Sequence, residues 1–218
     1  MKDTYRYTGF SLIEVVLALG VFLVTILAFV GLLGPTLKSV NEVENTDEIT
    51  SVVNTLNAFL QKSPGIADDD LSKFEVIYNN VADGGEATVF VFRKFSDSTS
   101  ALSTIEVGFE ASEIVGDPAS ASVDSTDFAN AAGTIYRCVL TPSSVTPAIW
   151  RSGTRNSDGV YSLVASNVAN YTEGYFPMEI RIFAEDPPGP NANFDSLTRL
   201  NELADEEPIF TYNTAIVR

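Results

Sequence analysis

The chain has 218 residues, 45% of them hydrophobic, and 29 acids against 13 bases give a formal net charge of −16. That length suits one medium domain plus an anchor, and a field of that sign repels phosphate backbones, so no nucleic acid is expected as a partner. There is no histidine, which removes the commonest general base and zinc ligand, and the single cysteine, Cys138, excludes an internal disulfide or a thiolate cluster.

The chain opens with a short polar stretch, "MKDTYRYTG", that carries Lys2 and Arg6. From Phe10 to Leu33 follow 24 residues that are apolar or small except for Ser11, Thr25 and Glu14. As a helix this run spans about 36 Å, enough for a hydrocarbon core of about 30 Å. It is too long for the h-region of a cleaved secretory signal, and no A-x-A site follows it. Seventeen of its residues are Leu, Ile, Val or Phe. Their insertion free energy sums to roughly −5 to −10 kcal/mol, which outweighs one acid at about 3 kcal/mol. The basic leader keeps the N-terminus cytoplasmic and places the rest of the chain across the membrane. Glu14 stands out, because an acid inside a membrane segment is read as functional and calls for a partner.

Gly9, Phe10 and Glu14, the fifth residue counted from Phe10, lie in the run Gly-Phe-Ser-Leu-Ile-Glu. With the basic leader and the apolar stretch behind it, this run resembles the prepilin signal of type IV pilins and type II secretion pseudopilins. The resemblance implies that a prepilin peptidase cuts after Gly9 and methylates the new amine of Phe10. It implies that Glu14 neutralises the Phe10 amine of a neighbouring subunit in a filament. Two such charges about 4 Å apart attract by about 4 kcal/mol at an effective dielectric near 20, before desolvation is subtracted. The family's fold is α+β, a long N-terminal helix packed on an antiparallel β-sheet head. The implied protein is a structural subunit, a minor pilin or pseudopilin, of a type IV pilus-like or type II secretion filament. Its partners would be the peptidase, other pilin or pseudopilin subunits and an inner-membrane assembly platform. It would sit in the bacterial inner membrane, N-terminus cytoplasmic and head periplasmic, before joining the pilus or pseudopilus. The alternative is a single-pass, membrane-anchored extracytoplasmic binding domain that does not polymerise.

The expected organisation is a leader at 1–9, a membrane and filament-core helix at 10–34, an amphipathic half at 35–62, and a β-rich head at 63–218. Gly31, Gly34 and Pro35 predict a kink or local melting. Beyond them Leu37, Val40, Val43, Ile49, Val52, Val53, Leu56, Phe59 and Leu60 recur at helical steps, with acids between them. Ser63-Pro64-Gly65 ends that helix. "DDDLSKFEVIYNNV" predicts a short helix behind an aspartate cap at Asp68–Asp70. "EATVFVFRKF", "STIEVGFEA", "TIYRCVLT", "GVYSLVA", "FPMEIRIFAE" and "IFTYNTAIVR" predict strands, and "SASVDSTDFANAAG" a mobile loop. A helix followed by strands predicts an antiparallel sheet laid against the helix.

The head offers little chemistry. Asn191, Asn193, Asp195 and Glu202 fall at the first, third, fifth and twelfth places of a calcium loop. Ser196 stands where that loop needs glycine, and Arg199 brings a cation to the ninth place, so a polar turn before a helix at 196–203 is expected instead. Serines are present without histidine or a G-x-S-x-G turn, and no enzymatic activity, cofactor or metal is expected. Cys138 reads as a buried, inert strand thiol, Arg137 and Arg181 as ion-paired strand residues, and Trp150 as a core residue.

Overall fold

A computed structural model describes residues 11–61, 72–95, 102–110, 122–123, 125–129, 131–164, 167–185 and 206–218, with the side chains of 33–45 outside that description. The chain divides into two units, Met1–Thr50 and Ser51–Arg218.

Helix α1 (Leu12–Gln61) is assigned without interruption through Gly31, Gly34 and Pro35. The melting predicted there does not occur. Proline removes one backbone hydrogen bond at a cost of about 3 kcal/mol, and good helix formers such as Leu27, Leu32, Leu33 and Leu37 flank it on both sides. The first unit contains the apolar part of α1.

The second unit is built on the last turns of α1, where Val52, Leu56 and Leu60 are buried at four-residue steps and Val53 and Phe59 are partly buried. Helix α2 (Lys73–Gly84) starts at a Ser72 cap rather than at the aspartates, which lie outside the described residues. Glu75 N–H donates to Ser72 Oγ at 3.2 Å while Ser72 N–H donates to Glu75 Oε2 at 2.9 Å, a reciprocal capping box. Gly85, at φ +89°, closes the helix by donating to Val81 O, a conformation that only glycine adopts freely.

The strands are β1 (Ala87–Phe95), β2 (Ser103–Glu110), β3 (Ser122–Val123), β4 (Ile135–Pro142), β5 (Tyr175–Glu185) and β6 (Phe210–Val217). They form one sheet in the order β3-β2-β1-β4-β5-β6, antiparallel throughout except for the short β2·β3 pair. The molecule is α+β, with an N-terminal apolar helix and an antiparallel sheet. One sheet face carries Val89, Val91, Cys138, Leu140, Met178, Ile180 and Ile182 into the core under α1 and α2. Tyr171 is fully buried at the end of this core, its ring centroid 4.9 Å from Tyr78, 5.3 Å from Trp150 and 6.0 Å from Phe176.

The other face is covered as well, which corrects two expectations. The loop predicted at 120–133 contains β3 and a one-turn helix, α3 (Ser125–Phe128). Phe128 is buried 5.0 Å from Phe90 and 5.1 Å from Phe92, and Lys94 pairs with Asp127 at 2.6 Å. One large aromatic in a stretch of small residues pins the segment to the sheet. The strand predicted at 159–165 makes only a single bridge, Arg151↔Leu163. Asn156 Oδ1 accepts from the N–H groups of Asp158 and Val160, closing a tight turn that pairs the stretch with its own neighbour instead of with a sheet strand.

Cys138 is fully buried and burial raises its thiol pKa, as expected of an inert thiol. Trp150 is partly buried and packs on the core, with its indole N–H 3.4 Å from Glu173 Oε1. Arg137 lies 3.9 Å from Glu185, and Arg181 lies 3.0 Å from Glu179. Glu179 also accepts from Arg155, and both Arg155 and Arg181 donate to Gly159 O, so this carboxylate clamps the 155–160 turn over Val160, which clusters with Val139 and Phe183.

The Arg155 hydrogen bonds, with Arg181 adding to them against the effect of burial, hold the Glu179 carboxyl below its ordinary range. A depressed folded pKa contributes stability that is present above the unfolded value of about 4.3 and is lost as pH falls through the folded value. Because Arg155 is partly exposed, we expect Glu179→Gln to cost only about 2 kcal/mol at pH 7. That gap should narrow as pH falls below about 4.3 and close only once pH has passed the lower folded value, where wild-type Glu179 is itself protonated. Urea unfolding of both proteins across a pH series measures it. A gap unchanged from neutral to acid pH would mean that the clamp is not ionic.

Candidate functional site

Among the described residues, unit 1 carries a segment whose surface has no counterpart in an ordinary water-soluble fold. Leu12–Leu32, 21 residues and about 31 Å as a helix, is long and apolar enough to cross a membrane by length and composition. None of it is buried within the chain. Fifteen large apolar side chains between Leu12 and Leu32 are exposed, among them Phe22, Leu27 and Phe29. Monomeric soluble proteins do not present an unbroken apolar surface of this kind, so lipid or protein must cover it.

Of the residues singled out for processing, Gly9 and Phe10 lie outside the described residues, as do the calcium-loop positions Asn191, Asn193, Asp195 and Glu202. Glu14 is described. It sits in the first turn of α1 and borders a shallow concavity lined also by Val15, Ala18, Leu19 and Phe22. Glu14, Ala18 and Phe22 follow one another at four-residue steps, so the carboxylate heads a stripe along one helix face.

Its local bonding was open to sequence reading and was not anticipated. Ser11 N–H donates to Glu14 Oε2 at 2.9 Å, and Glu14 N–H lies 3.3 Å from Ser11 Oγ. This is the S-x-x-E capping box, visible as Ser11-Leu12-Ile13-Glu14. It satisfies two of the amide groups that a helix start leaves without intrahelical partners. The helix dipole also favours an acid in this turn. The carboxylate therefore has a role within its own chain, and only Oε2 is engaged among the described residues.

Among the described residues, no cluster of three or more His, Cys, Asp or Glu side chains is placed to hold a metal. In the head, Glu179, Arg181 and Thr141 are engaged with one another or with backbone. No family model, curated protein or solved structure matches the chain.

Proposed function

We propose that the protein is a pilin-like structural subunit, a minor pilin or pseudopilin, held in the inner membrane by Leu12–Leu32 and assembled into a filament through that helix. The observation that carries this reading is the wholly exposed apolar helix with an acid in its first turn. An anchor needs only the apolar length. A carboxylate among the first residues of that length, directly behind Gly9-Phe10, is what a positive amine on a neighbouring copy would require. The α+β layout, with the helix leading into an antiparallel sheet, supports the reading without being specific to it. In this scheme the head is the periplasmic part, and the prepilin peptidase and the assembly platform are the membrane partners.

The second reading is a single-pass anchored binding domain that does not polymerise. The Ser11–Glu14 capping box favours it, since it accounts for the acid with no second chain.

Processing separates the proposal from an unprocessed anchor. The mature chain is expected to begin at Phe10 and to carry one methyl group on its amine. Intact-mass and N-terminal peptide analysis of protein from the native host reads this directly. An uncut Gly9-Phe10 bond, in cells whose prepilin peptidase is active, would overturn the proposal.

A further inference from the structure

The sheet ends differently on its two sides. Beyond β2, the two-residue strand β3 pairs only Phe109 and Glu110, so the rest of that edge is residues 103–108 of β2, which carry the charge of Glu106. The opposite edge is β6, eight residues reading Phe-Thr-Tyr-Asn-Thr-Ala-Ile-Val. It contains neither a charge nor a proline, two of the devices that protect an edge strand.

The ladder fixes which way its backbone points. Arg218 N–H donates to Gly174 O at 3.0 Å, in register with the pairs Phe176↔Ile216, Met178↔Thr214 and Ile180↔Tyr212. In an antiparallel ladder, successive residues aim their N–H and C=O groups to opposite sides. The even positions of β6 therefore bond β5, and Thr211, Asn213, Ala215 and Val217 direct theirs outward. All four residues are exposed, and among the described residues nothing takes these groups. The last turns of α1, residues 51–61, reach Tyr212 and Thr214 through Asn57 on one flank and Phe109 of β2 through Phe59 on the other, so they lie over the middle of the sheet.

We propose that β6 is a pairing edge for β6 of a second copy of this chain, antiparallel about a two-fold axis at Thr214. In that register Thr211 meets the partner strand's Val217, and Asn213 meets its Ala215, so all the outward backbone groups are used. On the helix side Tyr212 meets the partner strand's Ile216, and Thr214 meets itself. These are an aromatic–aliphatic pair and a Thr–Thr pair, both favourable across strands. Self-pairing of a charged strand would bring like charges together. A chain of net charge −16 repels its own copies, and this uncharged edge is a place where it can meet itself. A two-fold contact is closed, so it holds two heads and does not propagate. It is independent of how the apolar helix assembles.

The test uses the full-length chain in its host membrane. Thr214→Cys places two thiols at a non-hydrogen-bonded pair with Cα atoms about 4.5 Å apart, within disulfide range. The native Cys138 is buried and does not compete. Air oxidation should yield a disulfide-linked species of twice the chain mass, at least tenfold more than from Thr154→Cys in an exposed loop. Adding Ala215→Pro, which removes one outward N–H and no ladder bond within the chain, should abolish the link while circular dichroism stays unchanged. Linking no better than the loop control, a linked species of another mass, or a link that survives the proline would each overturn the proposal.

Discussion

Tyr171→Ala should lower the unfolding free energy of the head by about 3–5 kcal/mol, the largest loss expected from any single change there. Tyr171 is fully buried, and its ring touches Tyr78 and Phe74 of α2, Trp150 of the long connection and Phe176 of β5. Three elements thus share one side chain, and a cavity at their meeting point cannot be closed by moving any one of them. The hydroxyl donates to Tyr175 O at 2.9 Å, a bond worth about 1 kcal/mol. Tyr171→Phe keeps the ring and should lose only that smaller amount. Denaturant unfolding followed by far-ultraviolet circular dichroism measures both, without relying on Trp150, whose surroundings the substitution alters. Equal losses from the two variants would show that the hydroxyl, not the packing, holds the junction.

Nothing in the sequence around Tyr171 announces this role. "NVANYTEG" has no periodicity, and an aromatic in a polar loop reads as exposed until the elements that converge on it are known. Phe128 is the same case, one aromatic among small residues. By contrast, the main sheet strands and the stripe Val52, Leu56, Leu60 were legible, because burial of a regular element leaves a period in the sequence. "GVYSLVA" shows the limit of that signal, since alternation does not distinguish a sheet strand from a segment that pairs with its own neighbour. The two capping boxes were legible in another way. Ser72-x-x-Glu75 and Ser11-x-x-Glu14 share one pattern, but the first was obscured by three nearby aspartates and the second by the apolar run around it.

That second box leaves Glu14 with two candidate partners, Ser11 of its own chain and, on the proposed reading, the Phe10 amine of another. Two substitutions separate them. Glu14→Gln keeps a side-chain oxygen that accepts from Ser11 N–H, and glutamine serves a capping box as glutamate does, but it removes the charge. Ser11→Ala does the reverse, at a helix-capping cost of about 0.5–2 kcal/mol. If Glu14 neutralises a neighbouring amine, Glu14→Gln leaves that amine buried without a counter-charge, a penalty of about 3–5 kcal/mol. Its incorporation into filaments should then fall by tenfold or more, with membrane insertion and cleavage intact and Ser11→Ala close to wild type. The measurement is the ratio of sheared filament to membrane-held protein for the three chains. If Glu14→Gln assembles as well as wild type, the charge has no intermolecular role, and the acid is explained by the helix it caps.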